Sequence, residues 1–228
     1  MKLSVCILGK IEYQEALTIQ EKLLKLRQED KIEDIMLLLE HPPTLTMGLR
    51  TNHANIIVPV EALEMQGVNV YQVNRGGDIT YHGPGQIVGY PIINLKNQER
   101  DINKFFFKIE ETFIQLLRNE YQIIANRISK YPGVWIDNEK ITAIGVAFKK
   151  WVSMHGFAFN VNTDLNHFKW INPCGITDKG ITSLQKIFAC PQDLQRVNEE
   201  IIEYFCKVFA FEPEIIDKQI LEEIIGRD

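Results

Sequence analysis

Cys174 is the cysteine of this sequence that is best placed to act as a reactive thiol. It lies between a proline and a glycine, a combination that predicts a tight turn rather than a buried periodic segment. Cys6 and Cys206 lie within apolar patterns typical of a protein core, and Cys190 precedes a proline at a predicted helix start. An exposed thiolate is a strong nucleophile that can carry a covalent intermediate. The placement of Cys174 therefore favours nucleophilic chemistry.

A glycine-rich segment from Arg75 to Gln86 is the second candidate site. Four glycines occur in the eleven residues from Gly76 to Gln86. Glycine lets backbone N–H groups turn towards a ligand and lets the ligand come close. Arg75 adds a fixed cation, and His82 adds a titratable hydrogen-bonding group. A purely structural loop is the alternative, but the polar and aromatic residues around these glycines favour a ligand-binding loop.

The third candidate site combines residues 140–145 with residues 154–160. Lys140 opens a predicted strand directly after a turn signal, where a lysine is ordinarily a solvated surface residue. Gly145 and Gly156 interrupt strand-like runs. Such glycines predict that another group approaches the sheet closely at these positions.

These segments must be positioned by a mixture of strands and helices. Apolar periodicity predicts strands over 2–9, 35–39, 68–73, 87–95, 134–136, 141–148 and 151–161, and helices over 12–28, 59–66, 101–118, 191–208 and 213–225. The strands occur in antiparallel clusters between helices rather than in strict alternation with them, which predicts the α+β class. No repeat or linker-like stretch interrupts the pattern, so we predict one catalytic domain over residues 1–228.

Composition excludes several classes of protein. The chain has 228 residues, of which 45% are hydrophobic and 24% charged, as is typical of a globular protein. No apolar run approaches the ~20 residues of a membrane-spanning helix, and the first ten residues predict a strand rather than a signal peptide. We therefore expect a cytoplasmic protein with free thiols. The cysteine spacing predicts no zinc site or redox pair, and we expect neither a metal nor a cofactor.

The charge of the chain is unevenly distributed. The formal net charge is −5, which argues against general nucleic-acid binding. Residues 140–186 contain six lysines and two aspartates, so this stretch carries +4 and the rest of the chain carries −9. A solvated hairpin and loop would explain these lysines. A docking surface for an acidic partner is the functional alternative.

Together the three candidate sites resemble the lipoyl(octanoyl) transferases, the octanoyl-[acyl-carrier-protein]:protein N-octanoyltransferases of lipoate biosynthesis. The resemblance covers about residues 70–186, and its motifs occur in the order that the family has. Lys140 and Cys174 are 34 positions apart, in agreement with the lysine–cysteine pair of the family. Phe157 and Phe159 stand where leucines are common in the family, which leaves the preferred acyl-chain length open.

The resemblance implies a fold shared with the catalytic domains of lipoate and biotin protein ligases. This fold has a mixed or antiparallel central sheet, a smaller second sheet and flanking helices. The implied catalytic residues are Cys174, which carries the acyl group as a thioester, and Lys140, which lowers the pKa of its thiol. The implied substrate-binding residues are Arg75, Gly76, Gly77, Asp78, Ile79, Thr80, Tyr81, His82, Ala143, Ile144, Gly145, Gly156, Phe157 and Ala158.

The implied reaction takes an octanoyl group from octanoyl-acyl carrier protein to the lysine of a lipoyl domain, in protein lipoylation. The implied acceptors are lipoyl domains of 2-oxoacid dehydrogenase subunits or the glycine cleavage H protein, and no ATP is required. One alternative is an ATP-dependent lipoate–protein ligase of the same fold, and another is a non-catalytic module that binds acyl carrier protein. A cysteine hydrolase is a weaker alternative, because no histidine relay occurs at a familiar spacing.

Overall fold

The architecture comes from a computed structural model that describes residues 1–175 and 178–226, without the side chain of Cys174. The Cys174 thiol and Ile176, which are part of the sequence motif discussed above, therefore lie outside the description. In chain order the strands are β1 (Lys2–Lys10), β2 (Ile35–Glu40), β3 (Thr44–Met47), β4 (Asn69–Gln72), β5 (Ile79–His82), β6 (Gln86–Ile92), β7 (Asn126–Ile128), β8 (Tyr131–Ile136), β9 (Glu139–Lys149), β10 (Val152–Asn160), β11 (Gly180–Ile181) and β12 (Glu212–Ile216).

Two sheets form from these strands. The larger sheet has the order β12-β1-β2-β6-β10-β9-β8-β7, with β11 pairing beside β9. The β12-β1-β2 edge and the β9–β11 pair are parallel, and the other pairs of this sheet are antiparallel. The smaller sheet has the order β4-β3-β5. The predicted α+β class, with a mixed main sheet and a smaller second sheet, is confirmed.

Helices cover both faces of the larger sheet. The described helices are α1 (Tyr13–Gln28), α2 (Val60–Glu64), α3 (Ile102–Tyr121), α4 (Leu184–Phe188), α5 (Leu194–Phe209) and α6 (Lys218–Ile225). In β2, Met36 and Leu38 belong to the core under α3 and α5, whereas Leu37 and Leu39 belong to the core under α1 and α6. A strand that is buried on both faces reads as a continuous apolar run, which is the pattern of residues 35–39.

The predicted helices over 12–28 and 101–118 are confirmed with small shifts of their ends. Asp101 caps α3 as expected, since its side chain accepts a hydrogen bond from the N–H of Lys104. This helix places Phe105 and Phe113 in the core. Within the described part of the chain, no helix is both long and apolar enough to cross a membrane.

Two predictions of secondary structure are wrong in part. The helix predicted over 213–225 is instead a strand, β12, followed by α6, because residues 212–216 pair in parallel with β1 and form the edge of the sheet. The glycine-rich segment 75–86 is not a continuous loop, because its residues 79–82 form β5 and pair with β3. This second difference matters for the site, since it places Thr80 and His82 on a rigid strand.

Candidate active site

A cavity lies where β5 and the loop before it face strands β6, β9 and β10 of the larger sheet. It encloses about 520 Å³, including the part that is open to solvent. Most of the predicted site residues surround it: Arg75, Gly76, Gly77, Thr80, His82, Lys140, Ala143, Ile144, Gly145, Gly156, Phe157 and Ala158. The topology thus brings the glycine-rich segment and both strands of the third candidate site together, although the sequence separates them by up to 80 residues or so. The roles of these residues remain predictions.

Small side chains line one wall of this cavity and leave space above the sheet. Ala143 on β9 is directly opposite Ala158 on β10, which in turn is opposite Val88 on β6. All three residues line the cavity. A surface of alanines and a valine leaves room above the sheet for an apolar chain and presents no polar group to it.

The two glycines in the strands receive neighbouring protein groups. A Cβ atom at Gly145 would lie 3.3 Å from the side chain of Arg75, and one at Gly156 would lie 2.1 Å from the carbonyl oxygen of Gly89. At Gly145 the group that approaches the sheet is the side chain of Arg75, whereas at Gly156 the nearby group is the backbone of β6, the neighbouring strand of the same sheet. Gly145 makes space for the arginine of the glycine-rich segment.

Arg75 is a buried cation held by hydrogen bonds. Its Nη2 donates to the carbonyl oxygen of Thr46 (2.6 Å) and to Thr46 Oγ1 (2.9 Å), and its Nη1 donates to the carbonyl oxygen of Gly76 (3.0 Å). This fixed geometry orients the loop that carries Gly76 and Gly77 along the cavity. Arg75 also supplies the positive charge at this end of the site.

Three buried histidines lie at or next to this end of the site. Burial, together with the neighbouring His41, lowers the pKa of His82 to about 3. Burial likewise lowers the pKa of His41 to about 4, and burial and Arg75 lower the pKa of His155 to about 4. His82 bonds to Gln86 Oε1 at 2.8 Å, and His41 bonds to the Tyr90 hydroxyl at 2.8 Å. All three rings are therefore neutral near pH 7, and His82 is a hydrogen-bonding group there rather than a titrating one.

Three of the predicted binding residues lie outside the cavity. Ile79 is buried in the core of the smaller sheet. Tyr81 directs its hydroxyl to His167 Nδ1 at 2.6 Å. Asp78 accepts hydrogen bonds from the N–H of Asn52 (3.1 Å) and of Ile79 (2.8 Å), and from the side-chain amide of Asn55.

Asp78 is connected to the turn that contains Cys174. The carbonyl oxygen of Asn55, whose side chain bonds to Asp78, accepts a hydrogen bond from the N–H of Asn172 at 2.8 Å. The short 3₁₀ turn Pro173–Gly175 follows directly. A Cβ atom at Gly175 would lie 3.2 Å from Asn55 Nδ2 and 3.7 Å from Asp78 Oδ2. Asp78 thus fixes the backbone on which Cys174 lies.

Lys140 is buried, whereas a lysine after a turn is ordinarily exposed to solvent. Only 6% of it is exposed, and its Nζ lies 4.8 Å from the centre of the Trp135 ring. It lines the cavity and also a smaller neighbouring cleft of about 210 Å³, including space open to solvent, whose other described lining residues include Pro173. The residue next to Cys174 and the predicted catalytic lysine therefore share one cleft.

Four cavity residues and one neighbour of Lys140 are absent from the predicted catalytic and substrate-binding residues. Tyr13, Val88, Tyr90 and His155 line the cavity, and Trp135 packs beneath the lysine. Tyr13 and Val88 fit the apolar periodicity of ordinary core residues, which gave no signal of a site. His155 carried a signal, because it directly precedes Gly156 within a strand.

Comparison with known proteins shows the family of the chain. The family model for the lipoyl protein ligase A/B catalytic domain matches residues 12–206. An octanoyltransferase from Desulforamulus reducens is 65% identical over 228 residues, which cover all of both chains. The chain belongs to the octanoyltransferase family. This membership confirms the predicted enzyme class, an acyltransferase, and its octanoyl transfer in protein lipoylation.

Solved structures confirm the predicted fold. A lipoate-protein ligase A bound with ATP superposes with a TM-score of 0.73 at 15% identity, covering 100% of this chain and 96% of that chain. A biotin protein ligase from Aquifex aeolicus superposes with a TM-score of 0.52 at 14% identity, covering 92% of this chain and 70% of that chain. At these identities the similarity concerns the fold alone.

Proposed function

We propose that this chain takes an octanoyl group from octanoyl-acyl carrier protein onto Cys174 and passes it to the lysine of a lipoyl domain, with residues 1–228 acting as one catalytic unit. The observation that supports this most strongly is the position of Lys140. A buried lysine borders both an apolar-walled cavity and a cleft that it shares with Pro173. A fixed cation beside a cysteine-bearing turn suits a thiolate nucleophile.

In the first half of the reaction the Cys174 thiolate attacks the carbonyl carbon of the donor thioester. A new carbon–sulfur bond forms, the bond to the sulfur of the carrier breaks, and the thiolate of the carrier leaves and takes up the proton of Lys140. The thioester carries its own activation, so this step requires no ATP. The bound octanoyl chain lies against Ala143, Ala158 and Val88, where each buried methylene contributes about 0.8 kcal/mol.

In the second half the amine of a lipoyl-domain lysine attacks the acyl-enzyme. A carbon–nitrogen bond forms, the thiolate of Cys174 leaves, and the amine loses a proton. Lys140 accepts that proton after it has given up its own, so that the amide product and the free thiolate–lysine pair are regenerated. The acceptors of this type are lipoyl domains of 2-oxoacid dehydrogenase subunits and the glycine cleavage H protein.

Ionisation of the thiol supplies only part of the rate. A thiol with the ordinary pKa of about 8.5 is roughly one-tenth ionised at pH 7.5, so full ionisation raises the thiolate concentration by about tenfold at most. The lower basicity of the thiolate offsets part of this gain. Orientation of the thioester and hydrogen bonds to the developing oxyanion must therefore supply most of the rate enhancement.

The oxyanion donor is better assigned to the glycine-rich segment than to Gly175. The N–H of Gly175 donates to the carbonyl oxygen of Asn172 at 2.9 Å within its own turn. Gly77 lines the cavity, and no described residue accepts a hydrogen bond from its N–H. Its φ of 87° turns the backbone in a way that glycine adopts readily. One such donor is worth about 3–4 kcal/mol in comparable enzymes.

Intact mass spectrometry tests the proposal. Purified protein exposed to octanoyl-acyl carrier protein should gain the mass of one octanoyl group and lose it on addition of a lipoyl domain. Cys174→Ala should gain no mass, whereas Cys190→Ala, which removes a different cysteine that is free and exposed, should behave like the wild type. Full transfer activity in Cys174→Ala would refute the covalent mechanism.

The same experiment separates the alternatives. A lipoate–protein ligase would modify the lipoyl domain when supplied with lipoate and ATP, and would do so without Cys174. A non-catalytic module would bind octanoyl-acyl carrier protein without any covalent adduct. Either result would replace the thioester mechanism.

A further inference from the structure

A single residue, His155, contributes to the walls of two separate spaces. It lines the cavity described above, and it also lines a groove between α1 and the β9–β10 hairpin. The groove encloses about 1,410 Å³, including space open to solvent. Its apolar lining residues are Leu17, Leu24, Val73, Ala147, Phe148 and Met154. His155 therefore stands between the cavity and a second, partly apolar groove.

The backbone at His155 is firmly fixed. Its N–H donates to Oε1 of Gln20, a buried residue of α1, at 2.8 Å. Its φ of 56° lies in the left-handed region, which is unfavourable for most residues other than glycine and asparagine. The ring packs edge-on against Tyr90, with 6.4 Å between the ring centres. These contacts hold the imidazole in one place.

The imidazole itself is held by packing more than by hydrogen bonds. Only 2% of the residue is exposed, and its Nε2 has no hydrogen-bond partner among the described residues. Buried nitrogens of this kind are uncommon, because each one loses the hydrogen bonds that water would supply. Hydrogen bonding by the ring therefore does not explain why a histidine occupies position 155. The volume of the ring, which separates the two spaces, does explain it.

The distance along the sheet suits an octanoyl chain. His155 is directly opposite Val146 on β9, six residues beyond Lys140, and six residues of strand span about 20 Å. Each of the seven carbon–carbon bonds of an extended octanoyl chain advances about 1.25 Å along the chain axis, which gives a length of roughly 9 Å. The side chains of Lys140 and His155 and the thioester occupy much of the remainder. An acyl chain attached near Lys140 thus has room for eight carbons and meets the imidazole when it is several carbons longer.

We propose that His155 sets the upper limit of acyl-chain length by closing the cavity against the groove. This inference rests on the proposed function, since it requires an acyl chain that enters from the Lys140 end. With the imidazole removed, the cavity opens into the groove, and a longer chain continues along Leu24, Val73 and Met154. His155 is a specificity-determining residue in this account.

The test compares His155→Gly with the wild type on carrier proteins loaded with acyl chains of 8, 10, 12 and 14 carbons. Glycine suits the left-handed backbone at this position, so the variant should fold. The readout is the rate of acyl-enzyme formation by intact mass. The ratio of the 12-carbon to the 8-carbon rate should rise at least tenfold in the variant, since one methylene in a fitted apolar pocket changes selectivity by about that factor.

Three further variants make the outcome decisive. His155→Asn also suits the left-handed backbone and should show the same shift, which guards against a folding defect in the glycine variant. His155→Phe restores a ring without the nitrogen and should retain the preference for eight carbons. Met154→Ala enlarges the groove without opening the wall and should leave the chain-length profile unchanged.

Failure of this inference can be told apart from failure of the proposed function. If wild-type protein forms no octanoyl adduct, the thioester mechanism is wrong. If the wild type forms the adduct, but His155→Gly and His155→Asn keep its chain-length profile, the imidazole does not limit the chain. A profile that shifts equally in Met154→Ala would also overturn the assignment to His155.

Discussion

The three buried histidines predict a loss of stability in mild acid. His41, His82 and His155 have pKa values of about 4, 3 and 4 in the folded protein, against about 6.5 when exposed. Each pKa is lowered on folding, so the unfolded chain binds protons first as the pH falls. Stability is therefore complete above pH 6.5 and is lost as the pH falls towards the folded values.

The size of the loss follows from the interval between the pKa values. At pH 5.5 a histidine of the unfolded chain is about nine-tenths protonated, whereas all three folded rings are still neutral. This difference lowers the free energy of unfolding by about 1.4 kcal/mol for each ring. The three together lower the free energy of unfolding by about 4 kcal/mol between pH 7.5 and pH 5.5. This is a large part of the ~5–15 kcal/mol that stabilises a typical domain.

Urea unfolding at pH 7.5, 6.5 and 5.5 measures this loss. His82→Asn should reduce the decrease in the free energy of unfolding between pH 7.5 and pH 5.5 by about one-third. His53→Gln, which changes an exposed histidine, should leave this decrease unchanged. A free energy of unfolding that stays constant from pH 7.5 to 5.5 would show that the rings are not held neutral. An unaltered fall in His82→Asn would show that this residue does not contribute to the loss.

Three other predictions concern the reactive end of the cavity. Lys140→Ala should raise the pH midpoint for alkylation of Cys174 by about one unit or more, because the thiolate loses its cation; an unchanged midpoint would remove the proposed role of the lysine. Asp78→Ala should lower the rate of acyl-enzyme formation about tenfold or more and the free energy of unfolding by ~1–3 kcal/mol, since it leaves buried donors unpaired; unchanged rates would show that the turn is fixed by other contacts. Lys179→Glu should raise the Michaelis constant for carrier protein in low salt, because Lys179 borders the cleft with Pro173. Lys149→Glu should not raise it, because Lys149 lies at the other end of the β9–β10 hairpin; equal effects of the two variants would contradict this arrangement.

The sequence predicted the elements whose burial is uniform along their length. Residues 35–39 are apolar at every position because helices cover both faces of β2, and this made the strand recognisable. β12 was not recognisable in the same way. Four of its five residues are exposed, and only pairing with β1 keeps it extended. A local pattern contains no information on an edge pairing between residues that are 200 or so positions apart.

The candidate site was predictable where glycine and polar residues cluster, and less so where ordinary core residues contribute. The composition of segment 75–86 indicated a site, but three of its predicted binding residues, Asp78, Ile79 and Tyr81, lie outside the cavity. Since β5 is a strand, its side chains alternate between two sides. Thr80 and His82 therefore point one way, while Ile79 and Tyr81 pack into the core of the smaller sheet.

The lysine-rich stretch illustrates why charge along a sequence differs from charge on a surface. Lys149 lies nine residues beyond Lys140 on β9, close to the hairpin that leads into β10, which corresponds to about 30 Å of extended strand. Lys179 lies at the other end, where it borders the cleft with Pro173. The net charge of +4 over residues 140–186 thus belongs to both ends of the hairpin and not to one patch. Under the proposed function, an acidic carrier whose thioester reaches Cys174 would contact the lysines at the Lys179 end, so docking and catalysis are expected to share that end while Lys149 stays solvated.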